Sequence, residues 1–138
     1  MFFKKDNKGK ENEYLIKICA LLIHAARIDE NYSIDEEDII KKTLIELGSN
    51  KNDILEIIEE AKIAEKNSNQ ILDFTREVKS LNEEDKVKIV EALWKIIYSN
   101  KHADIYETNL MRRLAGLLYI DSKTMGDIKE RVKKENSE

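Results

Sequence analysis

From Leu15 to Val132 the apolar residues of this chain return at spacings of three and four, and no proline interrupts them. That spacing lines up side chains on one face of a helix. Proline removes an amide donor and clashes with the preceding turn, so its absence leaves long helices unopposed. Only four glycines are present and the alternation typical of strands is missing, which makes the expected class all-α. The chain has 138 residues, of which 41% are apolar and 38% charged. That is enough apolar material for one domain with a real core, despite the heavy charge.

The pattern divides into about seven helices. The first is expected from Asn12 to Ile28, with Leu15, Ile18, Cys19, Leu22, Ile23 and Ala26 inward. Asp29-Glu30-Asn31-Tyr32 then breaks the periodicity, and Ser33-Ile34-Asp35-Glu36 reads as a capping box that opens the second helix. Ile39, Ile40, Thr43, Leu44 and Leu47 continue its stripe, and Gly48 suits the left-handed residue after a helix end. A third helix opens at Asn52 or Asp53 and ends near Asn67, carrying Ile54, Leu55, Ile57, Ile58, Ala61 and Ala64. A short fourth follows with Ile71, Leu72, Phe74, Thr75 and Val78 inward. The fifth runs from Asn82 to Ser99, and its density of apolar residues places it centrally. Asp104-Ile105-Tyr106-Glu107 is a second capping box for the sixth, and the last starts near Ser122. Residues 1–11 are expected to be a flexible segment, 12–134 the helical domain and 135–138 a flexible tail.

An internal repeat organises these helices. Residues 18–48 lie on 89–119 at a constant offset of 71 without a gap. Ile18, Leu22, Ile34, Glu36 and Leu47 fall on Ile89, Leu93, Ile105, Glu107 and Leu118. Asp29 falls on Asn100, Ser33 on Asp104, and Lys41-Lys42 on Arg112-Arg113. The expectation is a compact single-domain bundle with an internal pseudo-twofold repeat, in which two polar corners occupy equivalent places.

Those corners hold the best chemical candidates. Asp29, Ser33 and Glu36 belong to one; Asn100, Asp104 and Glu107 belong to the other. Each sets an oxygen ligand at the end of one helix near oxygen ligands on the first turn of the next. A hard divalent cation such as calcium, magnesium or manganese wants several such oxygens. The same oxygens also serve as helix caps, and no EF-hand loop is present. Pure capping is therefore the competing reading of all six residues.

Other chemistry finds less support. The single cysteine, Cys19, faces the apolar side of its helix and reads as a structural thiol in a reducing compartment. His24 reads as a helix-face residue and His102 as a turn residue, with no partner at zinc-ligand spacing. The glycines are too scattered for a phosphate loop. Net charge is −4 with signs interleaved, which argues against nucleic acid as a partner. Lys41-Lys42 and Arg112-Arg113 could form a basic rim for an anionic or protein partner, although solvated helix faces explain them as well. No apolar run approaches the roughly 20 residues needed to span a bilayer. Phe2 and Phe3 beside lysines leave contact with a membrane periphery open.

Phe74-Thr75-Arg76, Leu81-Asn82-Glu83-Glu84, Glu91-Ala92-Leu93-Trp94, Tyr106-Glu107 and Met111-Arg112-Arg113-Leu114-Ala115 together resemble the TerB-like, tellurite-resistance-associated domains. The resemblance spans about residues 14–132. It implies an all-helical bacterial domain of pseudo-symmetric helix pairs, cytoplasmic or at the inner face of the membrane. It also implies a metal-sensing or scaffolding module, linked to tellurite and other stress resistance, rather than an enzyme. The family's turn aspartate corresponds to Asp29 and to Asn100, and its following glutamate to Glu36 and Glu107. Its turn glycines are replaced by Glu30 and Lys101, and Lys101 brings positive charge into the second corner.

The expected function is thus a non-enzymatic binding or scaffold domain with protein partners and no certain cofactor, a divalent cation (calcium, magnesium or manganese) being the candidate. Two alternatives stand beside it: a small hydrolase using clustered carboxylates in a deep pocket, and a homodimeric protein-interaction module.

Overall fold

The computed structural model describes residues 2–27, 33–67, 71–99 and 105–136, with side chains described for 12–27, 33–67, 71–99 and 109–135. Among the described residues there are seven α-helices and no strand. They are α1 (Phe2–Ala26), α2 (Ile34–Glu46), α3 (Ile54–Asn67), α4 (Leu72–Lys79), α5 (Glu83–Ser99), α6 (Ile105–Leu117) and α7 (Ser122–Asn136). A single 3₁₀ turn, Lys51–Asp53, leads into α3. Helix α1 begins at Phe2 rather than at the expected Asn12; residues 2–11 carry no proline to stop it.

Two helices form the centre. Six consecutive residues of α1, Ile18 to Ile23, each have 0% exposure, so that stretch is enclosed on every side. It packs most extensively on α3, then on α4, α5 and α2. Helix α5 buries Ile89, Val90, Ala92, Leu93, Trp94, Ile96 and Ile97 and packs most extensively on α7, then on α2. The expectation of a central α5 holds, but α1 shares the role. A helix apolar over most of its circumference can be stable only when neighbours cover all of it.

The peripheral helices expose one side. Leu55 is 68% exposed, and Leu72 is 41% exposed against its expected inward placement. Ile54, Ile57, Ile58 and Ala61 define the buried face of α3, and Leu55 lies about 100° round the helix from Ile54. Leu72 stands off the Ile71, Phe74, Thr75 and Val78 face in the same way. A sequence stripe counted one residue too wide produces such an error.

Local chemistry sets the helix ends. Asn82 caps α5 by accepting the Asp85 amide at 2.8 Å, and Glu83, Glu84 and Asp85 supply negative charge to the first turn. Asp121 caps α7 by accepting the Thr124 amide at 2.7 Å. At the end of α2 the chain turns left-handed at Gly48 (φ +102°), with Ser49 N donating to Leu44 O at 2.9 Å and Gly48 N to Ile45 O at 3.0 Å. At the end of α6 it turns left-handed at Tyr119 (φ +56°), with Ile120 N donating to Ala115 O at 3.0 Å and Tyr119 N to Gly116 O at 3.3 Å. Both are Schellman closures, built from the same pair of bonds.

Candidate functional site

The first polar corner is described from Ser33 onward. Ser33 has extended backbone angles (φ −93°, ψ 166°), which lets its side chain fold over the start of α2. The Glu36 amide donates to Ser33 Oγ at 3.2 Å, and the Ser33 amide donates to Glu36 Oε1 at 3.0 Å. The capping box expected from the sequence is complete. Its glutamate is unusual in another respect: Glu36 has 0% exposure. Glutamate seldom loses all contact with water.

Asp29, Asn100 and Asp104 lie outside the described residues, as does the side chain of Glu107; His102, Glu30 and Lys101 do too. Of the six candidate ligands, the structure brings Ser33 and Glu36 together and describes them as mutual caps. Among the described residues no group of three or more histidine, cysteine, aspartate or glutamate side chains is placed to hold a metal ion.

Beside this corner, the last turn of α1 is tied to α3 by a clamp that sequence reasoning missed. Arg27 Nη1 donates to Glu65 Oε2 at 2.9 Å, and His24 Nδ1 lies 3.3 Å from Glu65 Oε1. His24 is therefore more than a helix-face residue. The partners are separated by 41 and 38 positions, so only the presence of cations in a last helical turn could have hinted at an acceptor. Lys62 of α3 lies 3.7 Å from Glu37 of α2, adding a further tie close to the corner.

The remaining titratable groups show where chemistry is absent or restrained. Burial pushes the Cys19 thiol up to about 12, with Lys62 acting in the opposite sense and Glu37 in the same one. A thiol so protonated is a poor nucleophile or metal ligand. Burial likewise raises Tyr14 to about 12, helped by the charges of Asp85 and Glu77. Asp121 moves the other way, lowered first by the backbone hydrogen bond from Thr124 and then by that residue's hydroxyl.

Three hollows are lined by described residues. The roomiest of these three, about 660 Å³, lies between α1 and α3, lined by Ile16, Ile57, Ile63 and Ala64 with Glu13, Glu56 and Glu60. A polar cleft of about 120 Å³ separates α2 from α5, where Lys42, Lys88 and Lys95 face Glu46 and Glu91. There Lys95 pairs with Glu91 at 3.1 Å, so the cleft's charges largely answer one another. The third, about 230 Å³, is formed by α5, α6 and α7 around Trp94. Lys42 lines the α2–α5 cleft and Arg112 the hollow of α5, α6 and α7. Among the described residues no helix is long and apolar enough to cross a membrane.

The family model described as tellurite resistance protein TerB matches residues 15–130. Comparison with curated proteins and with solved structures gives no match.

Proposed function

The chain belongs to the tellurite resistance protein TerB family, and from that premise we propose that it is a non-enzymatic binding or scaffold domain in a stress-related process of the cytoplasm. Its working surface is the pair of polar corners, Asp29, Ser33 and Glu36 in one and Asn100, Asp104 and Glu107 in the other. The family alignment runs through both. Shared element order supports their equivalence, since an offset of 71 carries Ile34–Glu46 onto Ile105–Leu117, the bounds of α6.

The observation that carries the reading is the family match over residues 15–130, which takes in both corners. A divalent cation held at the first corner would take hard oxygens from Asp29, Ser33 and Glu36. One carboxylate oxygen of Glu36 and one lone pair of Ser33 already serve as caps, so such a cation would need further oxygens from residues 28–32 or from solvent. The second corner should bind more weakly, because Asn100 lacks a charge and Lys101 adds a positive one.

Titration of the purified protein with calcium, magnesium, manganese and zinc, followed by amide NMR, tests this. Expected are shifts, or paramagnetic broadening for manganese, centred on residues 28–37 below about 1 mM metal. Glu36→Gln keeps the cap but should remove the response. Silence at both corners up to millimolar metal would reject the cation reading.

A further inference from the structure

We propose that the hollow formed by α5, α6 and α7 is a binding site for a small amphiphilic carboxylate, an apolar ring or short acyl chain carrying one carboxylate group. The proposal is independent of the polar corners.

Its floor is apolar: Trp94 from α5, Met111 from α6 and Met125 from α7 line it. Trp94 is only 3% exposed, and its Nε1 is buried with no hydrogen-bond partner among the described residues. Buried donors nearly always find an acceptor, and one left unspent costs free energy. The ring itself is held firmly, stacked on Tyr98 with centroids 5.9 Å apart, and Lys129 Nζ stands 5.4 Å from its centroid.

Among the described residues, the charge lining the hollow has one sign. Arg112 and Lys129 line it, none of its described lining residues is acidic, and neither cation forms an ion pair among the described residues. On the same helix, by contrast, Arg131 is engaged by Glu91 at 3.0 Å. The hollow therefore offers a guanidinium and an ammonium beside apolar walls. A carboxylate can accept from both, and such charged donors make the stronger bonds. At about 230 Å³ the space falls below the ~300–1,000 Å³ of sites for drug-sized ligands, which limits the apolar body to one ring or a short chain. Methionine sulfur adapts readily to such a body.

Trp94 is the chain's single tryptophan, so its emission reads this site alone. The test titrates the full chain with 3-phenylpropionate and hexanoate, using 3-phenylpropionamide, acetate and inorganic phosphate as controls. Expected is a saturable change in Trp94 emission, with both acids binding at least about tenfold more tightly than the neutral amide or acetate. The replacement Arg112→Gln should weaken the acids by roughly tenfold while leaving the amide unchanged. Gly126 also lines the hollow, and a Cβ there meets nothing within 4 Å, so Gly126→Leu should occupy the space without disturbing the helix. It should abolish binding at an unchanged or higher Tm. Should that variant fail to fold, the pair Arg112→Gln and Lys129→Gln carries the test alone. Equal binding of acid and amide, tighter binding of phosphate than of the acids, or no saturation by either acid up to about 10 mM would overturn the proposal.

Discussion

Helices α2 and α6 end in the same pair of backbone bonds, but one uses glycine at the left-handed position and the other tyrosine. Gly48 adopts its φ of +102° with no side chain to object. Tyr119 adopts +56° with a Cβ that disfavours it, and its ring is covered by Lys79 Nζ at 4.3 Å. The following residue differs as well: Ser49 after the glycine, the apolar and buried Ile120 after the tyrosine. A Schellman closure is often sealed by an apolar residue at that place, packed back onto the helix. What this contrast teaches is that the closure is specified by the whole turn. Where the residue at its apex is unfavourable, neighbours supply the difference.

The largest effects concern whether the two halves share the core equally. Leu22 and Leu93, 71 positions apart, are both fully buried. Replacing either by alanine should cost about 3 kcal/mol, within the range for leucine truncations in well-packed cores. Urea unfolding of both variants measures this, and a cost below about 1 kcal/mol at one site alone would show that the halves are unequal. Next come the two closures themselves. Gly48→Ala should cost about 1–2 kcal/mol, all of it from the backbone because the new Cβ meets nothing within 4 Å. Tyr119→Gly should be nearly neutral, since about 1 kcal/mol of relieved backbone strain offsets a lost cation–π contact of about 0.5–1 kcal/mol. In a Lys79→Ala background the same change should stabilise by about 1 kcal/mol, and no gain there would refute the compensation.

The caps give smaller effects. Ser33→Ala removes one acceptor of the capping box and should cost about 1 kcal/mol, seen as a shift in the urea midpoint without change of slope. Asp121 gives the smallest effect and one confined to acid. Its folded-state pKa lies below the ordinary 3.8 because Thr124 donates to it. The cap's contribution is therefore complete above the unfolded value and is lost as pH falls through the depressed folded one. Asp121→Asn keeps a capping oxygen but cannot titrate. Melts between about pH 5 and about pH 2 should show the parent losing an increment that the variant does not. Parallel curves would remove Asp121 from the acid response.

Much of this architecture was legible in the sequence because its signals are local. A helix face is set by residues three and four apart, and the Ser33–Glu36 box by residues three apart. The inward placement of Met125, Ile128 and Val132 on α7 follows the same rule and agrees with their burial. A misplacement comes where a stripe has to be given a width: Leu72 sits just past the edge of the buried face. The enclosure of Ile18–Ile23 was equally invisible, because it depends on how many neighbours α1 acquires. Of the candidate site, the cap was readable. The Glu65 clamp and the Trp94 hollow were not, since each needs side chains that only packing brings together.

Cys19 carries a consequence for how this molecule can be watched. A sulfhydryl sealed in the core and almost wholly protonated at neutral pH gives an alkylating reagent nothing to attack until the surrounding helices part. Its rate of labelling is then a clock for those openings, supplied by the chain itself and needing no introduced probe.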